Sequence, residues 1–122
     1  MTITLPPVNP KLHAHNTGHW RVKSKAVREL RELSFALTLE QLRGRRVTWQ
    51  AAVLDYTFVV ADRRRRDEAN MIQATKPAID GIVDTGLIPD DDWIRLHINS
   101  VHVVIGPPGV VLTLQQVDKL FI

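Results

Sequence analysis

The chain has 122 residues, of which 44% are hydrophobic and 24% charged, with a formal net charge of +3. This length and composition suit one globular domain, which we assign to residues 1–122, and exclude a disordered tail or a two-domain protein. The chain has no cysteine and no apolar run of about 18 residues, which excludes a disulfide framework, a thiolate metal site and a membrane helix and favours the cytoplasm.

The first half of the chain predicts a strand, a helix and a second strand. Thr2–Leu5 is a short run of strand formers, and a polar loop over residues 6–23 follows it. Apolar residues then recur at three- and four-residue spacing, which predicts a helix with Ser24 as its N-cap and Gly44 as its stop. Residues 47–60 are rich in β-branched and aromatic residues on both faces, which predicts a central strand covered on both sides.

The second half predicts a helix and two strands. Proline fits the first turn of a helix, so we expect the second helix to begin near Pro77 after an irregular segment. Residues 94–105 alternate in polarity with a change of phase, which predicts a strand with a bulge at Asn99–Ser100. Gly106-Pro-Pro-Gly109 predicts a hairpin turn into a strand over residues 110–117. The order β-α-β-α-β-β predicts an α+β fold in which a small mixed sheet packs against two helices.

Charged residues form separate basic and acidic groups. Arg63–Arg66 is a run of four arginines just after the predicted central strand, and Asp67 ends it. Adjacent cations repel one another unless an anion neutralises them, so this run indicates a phosphate-binding loop, with a solvated turn as the alternative. Asp90–Asp92 favours a divalent cation, with a plain turn as the alternative. Carboxylates without thiols suit Mg²⁺ or Mn²⁺, and a metal beside a phosphate clamp indicates phosphodiester hydrolysis.

Several motifs occur together in an order that is typical of one family. The chain contains Ile3-Thr-Leu-Pro6, His15-Asn-x-Gly18, the arginine run with Asp67-x-x-Asn70, Lys76-x-x-x-Asp80 and Gly86-x-x-x-Asp90-Asp91. Together these motifs resemble the RusA family of Holliday-junction resolvases, which occur in phages and prophages. The resemblance covers nearly the whole chain.

The resemblance implies a homodimer of a small α+β fold that acts in DNA recombination and repair. Such a protein binds four-way DNA junctions and nicks two strands symmetrically with Mg²⁺, for which Mn²⁺ substitutes. By matching motifs, Asp67 and Asp91 are the expected catalytic metal ligands, Asp90 is a further ligand, and Lys76 is the catalytic lysine. The residues expected along the DNA backbone are Arg63, Arg64, Arg65, Arg66, His15 and Asn16. The resemblance also implies the cytoplasm of a bacterial host, with no membrane and no nucleotide cofactor.

The chain departs from the family pattern in the metal motif. The second aspartate of the Asp-x-Asp-Asn motif is Ala69 here. We expect Asp90 to supply the missing carboxylate, in preference to Asp80 and Glu68. Two other functions stay open on these residues: a branched-DNA-binding protein whose nuclease activity has decayed, and a nuclease for flaps or forks.

The spacing to the lysine also differs. The stretch from Asn70 to Lys76 is three residues longer than the family spacing, so Gln73 is the competing match for the lysine position.

Overall fold

The computed structural model describes residues 1–12 and 20–120, which form one four-stranded sheet and three α-helices. The strands are β1 (Thr2–Leu5), β2 (Ala51–Val60), β3 (Leu96–Ile105) and β4 (Gly109–Val117). The helices are α1 (Trp20–Leu42), α2 (Glu68–Ala74) and α3 (Lys76–Asp84), and a 3₁₀ turn covers Pro10–Leu12. The predicted α+β class with a mixed sheet is confirmed. Among the described residues, no helix combines the length and the apolar character needed to cross a membrane.

Strand β2 lies inside the sheet, whose strand order is β1-β4-β2-β3. It pairs in parallel with β3 and antiparallel with β4, so these two strands flank it and the predicted hairpin is wrong. Residues 106–108 cross over the end of β2, where the Gly106 N–H donates to the Val60 carbonyl oxygen at 2.9 Å. The four peptide units from Ile105 to Gly109 reach about 13 Å. This length is enough to pass from β3 over β2 to β4, a distance of two strand spacings or about 10 Å.

The predicted bulge in β3 is confirmed. Leu54 of β2 pairs with Ile98, but the next residue, Asp55, pairs with Ser100. Asn99 is therefore the extra residue. It lets apolar side chains on both sides of the bulge face the same side of the sheet.

The helices cover only one face of the sheet. Leu54, Tyr56 and Phe58 of β2 are buried there in one cluster with residues of all three helices, such as Ile79 and Ile82 of α3. Alternate residues of β2 point to the opposite face and are partly exposed. The prediction that β2 is central is correct, but the prediction that it is covered on both sides is wrong. Half-exposed valines on the outer face produced the two-sided apolar pattern.

Helix α1 begins earlier than predicted. Its first residue is Trp20, so Ser24 lies inside the helix and is not its N-cap. The helix ends near Gly44 as expected, and this glycine has a φ of 76°, which a residue with a side chain rarely adopts.

The second predicted helix is two helices. Residues that we expected to be irregular form α2, and α3 begins at Lys76 with Pro77 in its first turn. Because proline has no N–H to donate to the turn before it, the helical hydrogen bonding is interrupted at Thr75. Asp67 caps α2, since its carboxylate accepts a hydrogen bond from the Ala69 backbone N–H at 2.9 Å.

Helices α1 and α3 approach most closely at Gly81, and this contact generates a test of the packing. A Cβ atom there would overlap the Arg31 carbonyl oxygen and lie 3.0 Å from the Phe35 backbone nitrogen. Backbone atoms cannot move aside as a flexible side chain can, so Gly81→Ala should lower the free energy of unfolding by about 1–3 kcal/mol in urea denaturation.

The control for this test is Ser24→Ala, at an exposed position inside α1. Because alanine is the better helix former, this variant should be unchanged or more stable by a few tenths of a kcal/mol. Equal stability of Gly81→Ala and wild type would contradict the packing of α3 on α1. A loss of about 1 kcal/mol in Ser24→Ala would instead show that Ser24 is a cap.

Candidate active site

The side chain of Lys76 lies between two carboxylates at the start of α3. Its Nζ atom is 2.5 Å from Asp80 Oδ1 and 2.5 Å from Asp91 Oδ2. Asp80 lies one helical turn further along α3, where a Lys–Asp pair at four-residue spacing is ordinary. Asp91 comes from the loop between α3 and β3. The ammonium group therefore joins a helix and a loop into one group of charges, which we call the Lys76 cluster (Lys76, Asp80 and Asp91).

The Lys76 cluster is partly buried, and this affects its protonation. Burial lowers the pKa of Lys76, but hydrogen bonds to Asp80 and Asp91 outweigh this effect and raise the pKa above its ordinary value. The hydrogen bond from Lys76 lowers the pKa of Asp91, against the opposing effect of burial. Lys76 is therefore a cation, and Asp91 an anion, throughout the physiological pH range.

The other acidic residues predicted for the site lie outside the Lys76 cluster. Asp67 is exposed at the start of α2, and this seven-residue helix, about 10 Å long, separates it from Lys76. The Asp90 carboxylate accepts a hydrogen bond from the Asp91 backbone N–H at 2.7 Å, which shapes the loop. Asp80, which we ranked below Asp90 as the compensating carboxylate, is the one of the two that contacts Lys76.

The ligands available at the Lys76 cluster suit a magnesium ion that is shared with substrate. Asp80 and Asp91 converge on the Lys76 ammonium, so Lys76 Nζ fills the position between them. Within the described parts of the chain, no three acidic or histidine side chains converge where they could hold a metal ion. A magnesium ion at this place would therefore have to displace Lys76 from the two carboxylates and would take its other ligands from substrate and water.

The arginine run is split between internal pairing and exposure. The Asp62 carboxylate accepts hydrogen bonds from Arg64 Nε at 3.2 Å and from Arg66 at 3.0 Å. Arg66 also donates to the backbone carbonyl oxygens of Asp62 and Arg64, which fixes the loop. A backbone hydrogen bond from Arg64, together with both guanidinium groups, keeps the pKa of Asp62 below its usual value. Arg63 and Arg65 are exposed and form no ion pair with any described residue.

The pairing of Asp62 with the arginine run was not predicted from the sequence. It neutralises part of the charge that we expected only an anion to neutralise, and Arg63 and Arg65 are the cations left for a partner. Its spacing of two residues to Arg64 and four to Arg66 was the available signal.

A cleft of about 410 Å³ opens beside the Lys76 cluster. Its walls come from β2, α2, α3 and β3, and its edge carries Gln73, Lys76 and Asp91. The apolar and aromatic residues that line it are Leu54, Tyr56, Ile72, Ile79, Leu96 and Ile98. Burial raises the pKa of Tyr56, so its hydroxyl stays protonated. Lys76 and Gln73, the two alternative matches to the lysine of the family motif, both line this cleft. Of the two, Lys76 is the one that contacts Asp91.

Two predicted DNA contacts, His15 and Asn16, lie outside the described residues. Neither protein-family models nor curated proteins give a match to this chain. Its relation to the RusA family therefore stays a prediction from motif order, and the functional interpretation depends on the Lys76 cluster, the arginine loop and the cleft.

The contact between Lys76 and Asp91 predicts a pH dependence of stability. Because folding lowers the pKa of Asp91, its contribution is present above the ordinary value of 3.8 and is lost as the pH falls through the folded value. Because folding raises the pKa of Lys76, its contribution is present below 10.5 and is lost as the pH rises through the folded value.

At pH 7 the variant Asp91→Asn should be less stable than wild type by about 0.5–1 kcal/mol, since the pair is partly exposed. The difference should shrink towards zero as the pH falls through the lowered pKa of Asp91, because Asp91 is then protonated in wild type as well. Thermal unfolding in EDTA, followed from pH 7 down through the acidic range in which carboxyl groups titrate, measures it. A difference that stays constant over this range would contradict the ion pair.

Proposed function

We propose that this protein is a Mg²⁺-dependent endodeoxyribonuclease that resolves four-way DNA junctions by paired symmetric nicks. The observation that carries the proposal is the Lys76 cluster, in which two carboxylates converge on one cation at the edge of an open cleft. The arginine loop precedes α2, and Lys76 follows it, so one short helix links a phosphate-binding loop to the candidate active site. The order of the motifs, which resembles that of the RusA family, supports the same reaction.

Each part of the site has a separate task in this proposal. Arg63 and Arg65 bind backbone phosphates, which positions DNA without reading its sequence. The Lys76 ammonium donates a hydrogen bond to the phosphate to be cut and stabilises the negative charge that develops there. Asp80 and Asp91 would hold the metal once Lys76 leaves them for the phosphate. When bound, Mg²⁺ lowers the pKa of a coordinated water and neutralises charge on the phosphate.

The symmetry of a four-way junction bears on the number of protein subunits that cut it. A four-way junction has two strands to cut that are related by a two-fold axis, and one copy of this chain supplies one Lys76 cluster. We therefore include a homodimer in the proposal, since a two-fold pair of subunits presents two equivalent sites. Asp67 as a metal ligand, and Asp90 as a further ligand, stay predictions from the motif match.

The second candidate function is binding of branched DNA without cleavage. Two features favour it: Ala69 stands where the family motif has an aspartate, and only two carboxylates of the described residues contact Lys76. Phosphate contacts recognise shape, so the same surfaces would bind flaps or forks. A cleavage assay that compares these substrates separates the candidates.

Cleavage of a labelled four-way junction is the first test of the proposal. Wild-type protein with Mg²⁺ should nick two opposite strands, and should nick neither a linear duplex of the same sequence nor the junction in EDTA. Asp91→Asn and Lys76→Met should each lower the nicking rate by about 100-fold or more, because each removes charge stabilisation at the phosphate. Binding of the junction, measured by gel shift in EDTA, should persist in both variants.

Asp84→Asn is the matched control for this test. Asp84 lies at the end of the same helix, is similarly exposed and pairs with Arg31, whose charge also acts on Asp80. Its loss keeps Lys76 and both carboxylates of the cluster, so nicking should fall by far less than about 100-fold. Wild-type nicking by Asp91→Asn would overturn the site. Tight junction binding by wild type with no nicking would support the second candidate, and faster nicking of flaps or forks would replace the junction as substrate.

Arg64 and Arg66 pair with Asp62, whereas Arg63 and Arg65 form no ion pair with a described residue. This division predicts how strongly DNA binding by variants of the run depends on salt. Replacing both Arg63 and Arg65 by glutamine should weaken binding to junctions of every sequence and flatten the slope of log K against log salt by about 2, because two phosphate contacts are lost. Replacing Arg43 and Arg46, which lie beyond the end of α1, removes the same charge and should change the slope less. Equal changes in both pairs would show an effect of net charge alone, and no change in either would place Arg63 and Arg65 in solvent.

A further inference from the structure

The cleft beside the Lys76 cluster is lined mostly by apolar side chains, whereas contacts with phosphate groups require charged or polar ones. Ile72 and Ile79 line it from the helices, and Leu96 and Ile98 line it from the edge strand β3. Ile98 is 44% exposed, so apolar surface lies open to solvent directly next to charged Lys76 and Asp91. Exposed apolar surface in a concave site is typical of a ligand-binding position.

The side chains that line the cleft are of two kinds. Most are apolar or aromatic, Tyr56 among them, and the polar ones are Gln73, Lys76 and Asp91. The Gln73 amide donates and accepts hydrogen bonds, as the edge of a nucleobase requires, and the Lys76 ammonium, which contacts Asp91, is the cation available to a phosphate. A single nucleotide combines matching groups: a planar base of low polarity on its faces, a hydrogen-bonding edge and a phosphate.

A base inside a duplex cannot enter the cleft, because its faces are stacked and its edge is paired. Proteins that bind one base out of the stack do so in apolar pockets and read its edge with hydrogen bonds. Bases at a branch point or in a single strand are the least costly to unstack. The cleft therefore suits an unpaired base better than any part of a continuous duplex.

We propose that this cleft binds one unpaired nucleobase of branched DNA, next to the phosphate that lies at Lys76. The inference rests on the proposed function, because it takes the Lys76 cluster as the phosphate position. The base lies against the apolar walls and the Gln73 amide contacts its edge. This contact favours branched over continuous DNA. The preference arises from an unpaired base next to the phosphate that is cut, and not from the overall charge of the protein surface.

The experiment uses a four-way junction with 2-aminopurine at the branch point, bound to the full chain in EDTA so that no strand is cut. Emission of 2-aminopurine rises when the base leaves the stack, so binding of wild type should raise it. Ile98→Glu places a carboxylate at the cleft wall. It should abolish the rise and lower affinity for the junction by about 10-fold, the value of one stacked base.

Val104→Glu is the matched control, since Val104 is also 44% exposed on β3 and adds the same charge. It pairs with Val59 and points to the opposite face of the sheet, so the emission rise should persist. Gln73→Ala is a second variant at an exposed position that removes no buried contact. It should reduce the rise and weaken junction binding by a few-fold while binding of continuous duplex stays unchanged.

The possible outcomes separate this inference from the proposed function. An emission rise that is equal in Ile98→Glu and Val104→Glu, or that is unchanged in Gln73→Ala, would overturn the base site. Nicking of junctions by wild type without any emission rise would overturn the base site and leave the nuclease proposal standing. An emission rise without nicking would support the base site and overturn the nuclease.

Discussion

Two ion pairs of Lys76 hold the candidate site together. The Lys76 ammonium is 2.5 Å from both Asp80 and Asp91, and it holds the loop before β3 against the start of α3. Without this cation, two carboxylates would face each other at a partly buried position, which is unfavourable. With it, the protein has a compact group of two anions and one cation at the start of α3.

The fold connects the arginine loop to this group through one short helix. Strand β2 delivers the arginine loop at its end, and the two short helices α2 and α3 lead from that loop to Lys76. Strand β3 pairs in parallel with β2, so the loop that carries Asp91 lies at the end of the sheet where β2 begins, opposite the end that carries the arginine loop. Asp91 reaches Lys76 from there. The interruption of helical hydrogen bonding before Pro77 matters here, because it separates α2 from α3 and leaves Lys76 in a first turn beside the cleft.

Features set by local chemistry could be predicted from the sequence, and features set by distant pairing could not. The bulge at Asn99, the end of α1 at Gly44 and the Lys76–Asp80 pair follow from a few neighbouring residues, and the structure contains all three. The position of β4 depends on which strand lies inside the sheet, and the residues of a short turn do not determine this. The turn at residues 106–109 therefore predicts a hairpin, although β2 lies between the two strands that it joins. The length of α2 between Asp67 and Lys76, and the capping role of the Asp67 carboxylate, likewise required the structure.

Paramagnetic broadening by Mn²⁺ tests the proposal that Asp80 and Asp91 bind the metal. In amide NMR spectra of the uniformly ¹⁵N-labelled chain, substoichiometric Mn²⁺ should broaden the signals around Asp80 and Asp91 first, and Asp91→Asn should remove this selectivity. Broadening that begins around Asp67 or Asp55, or that is uniform over the chain and unchanged in Asp91→Asn, would show that Asp80 and Asp91 are not the metal ligands.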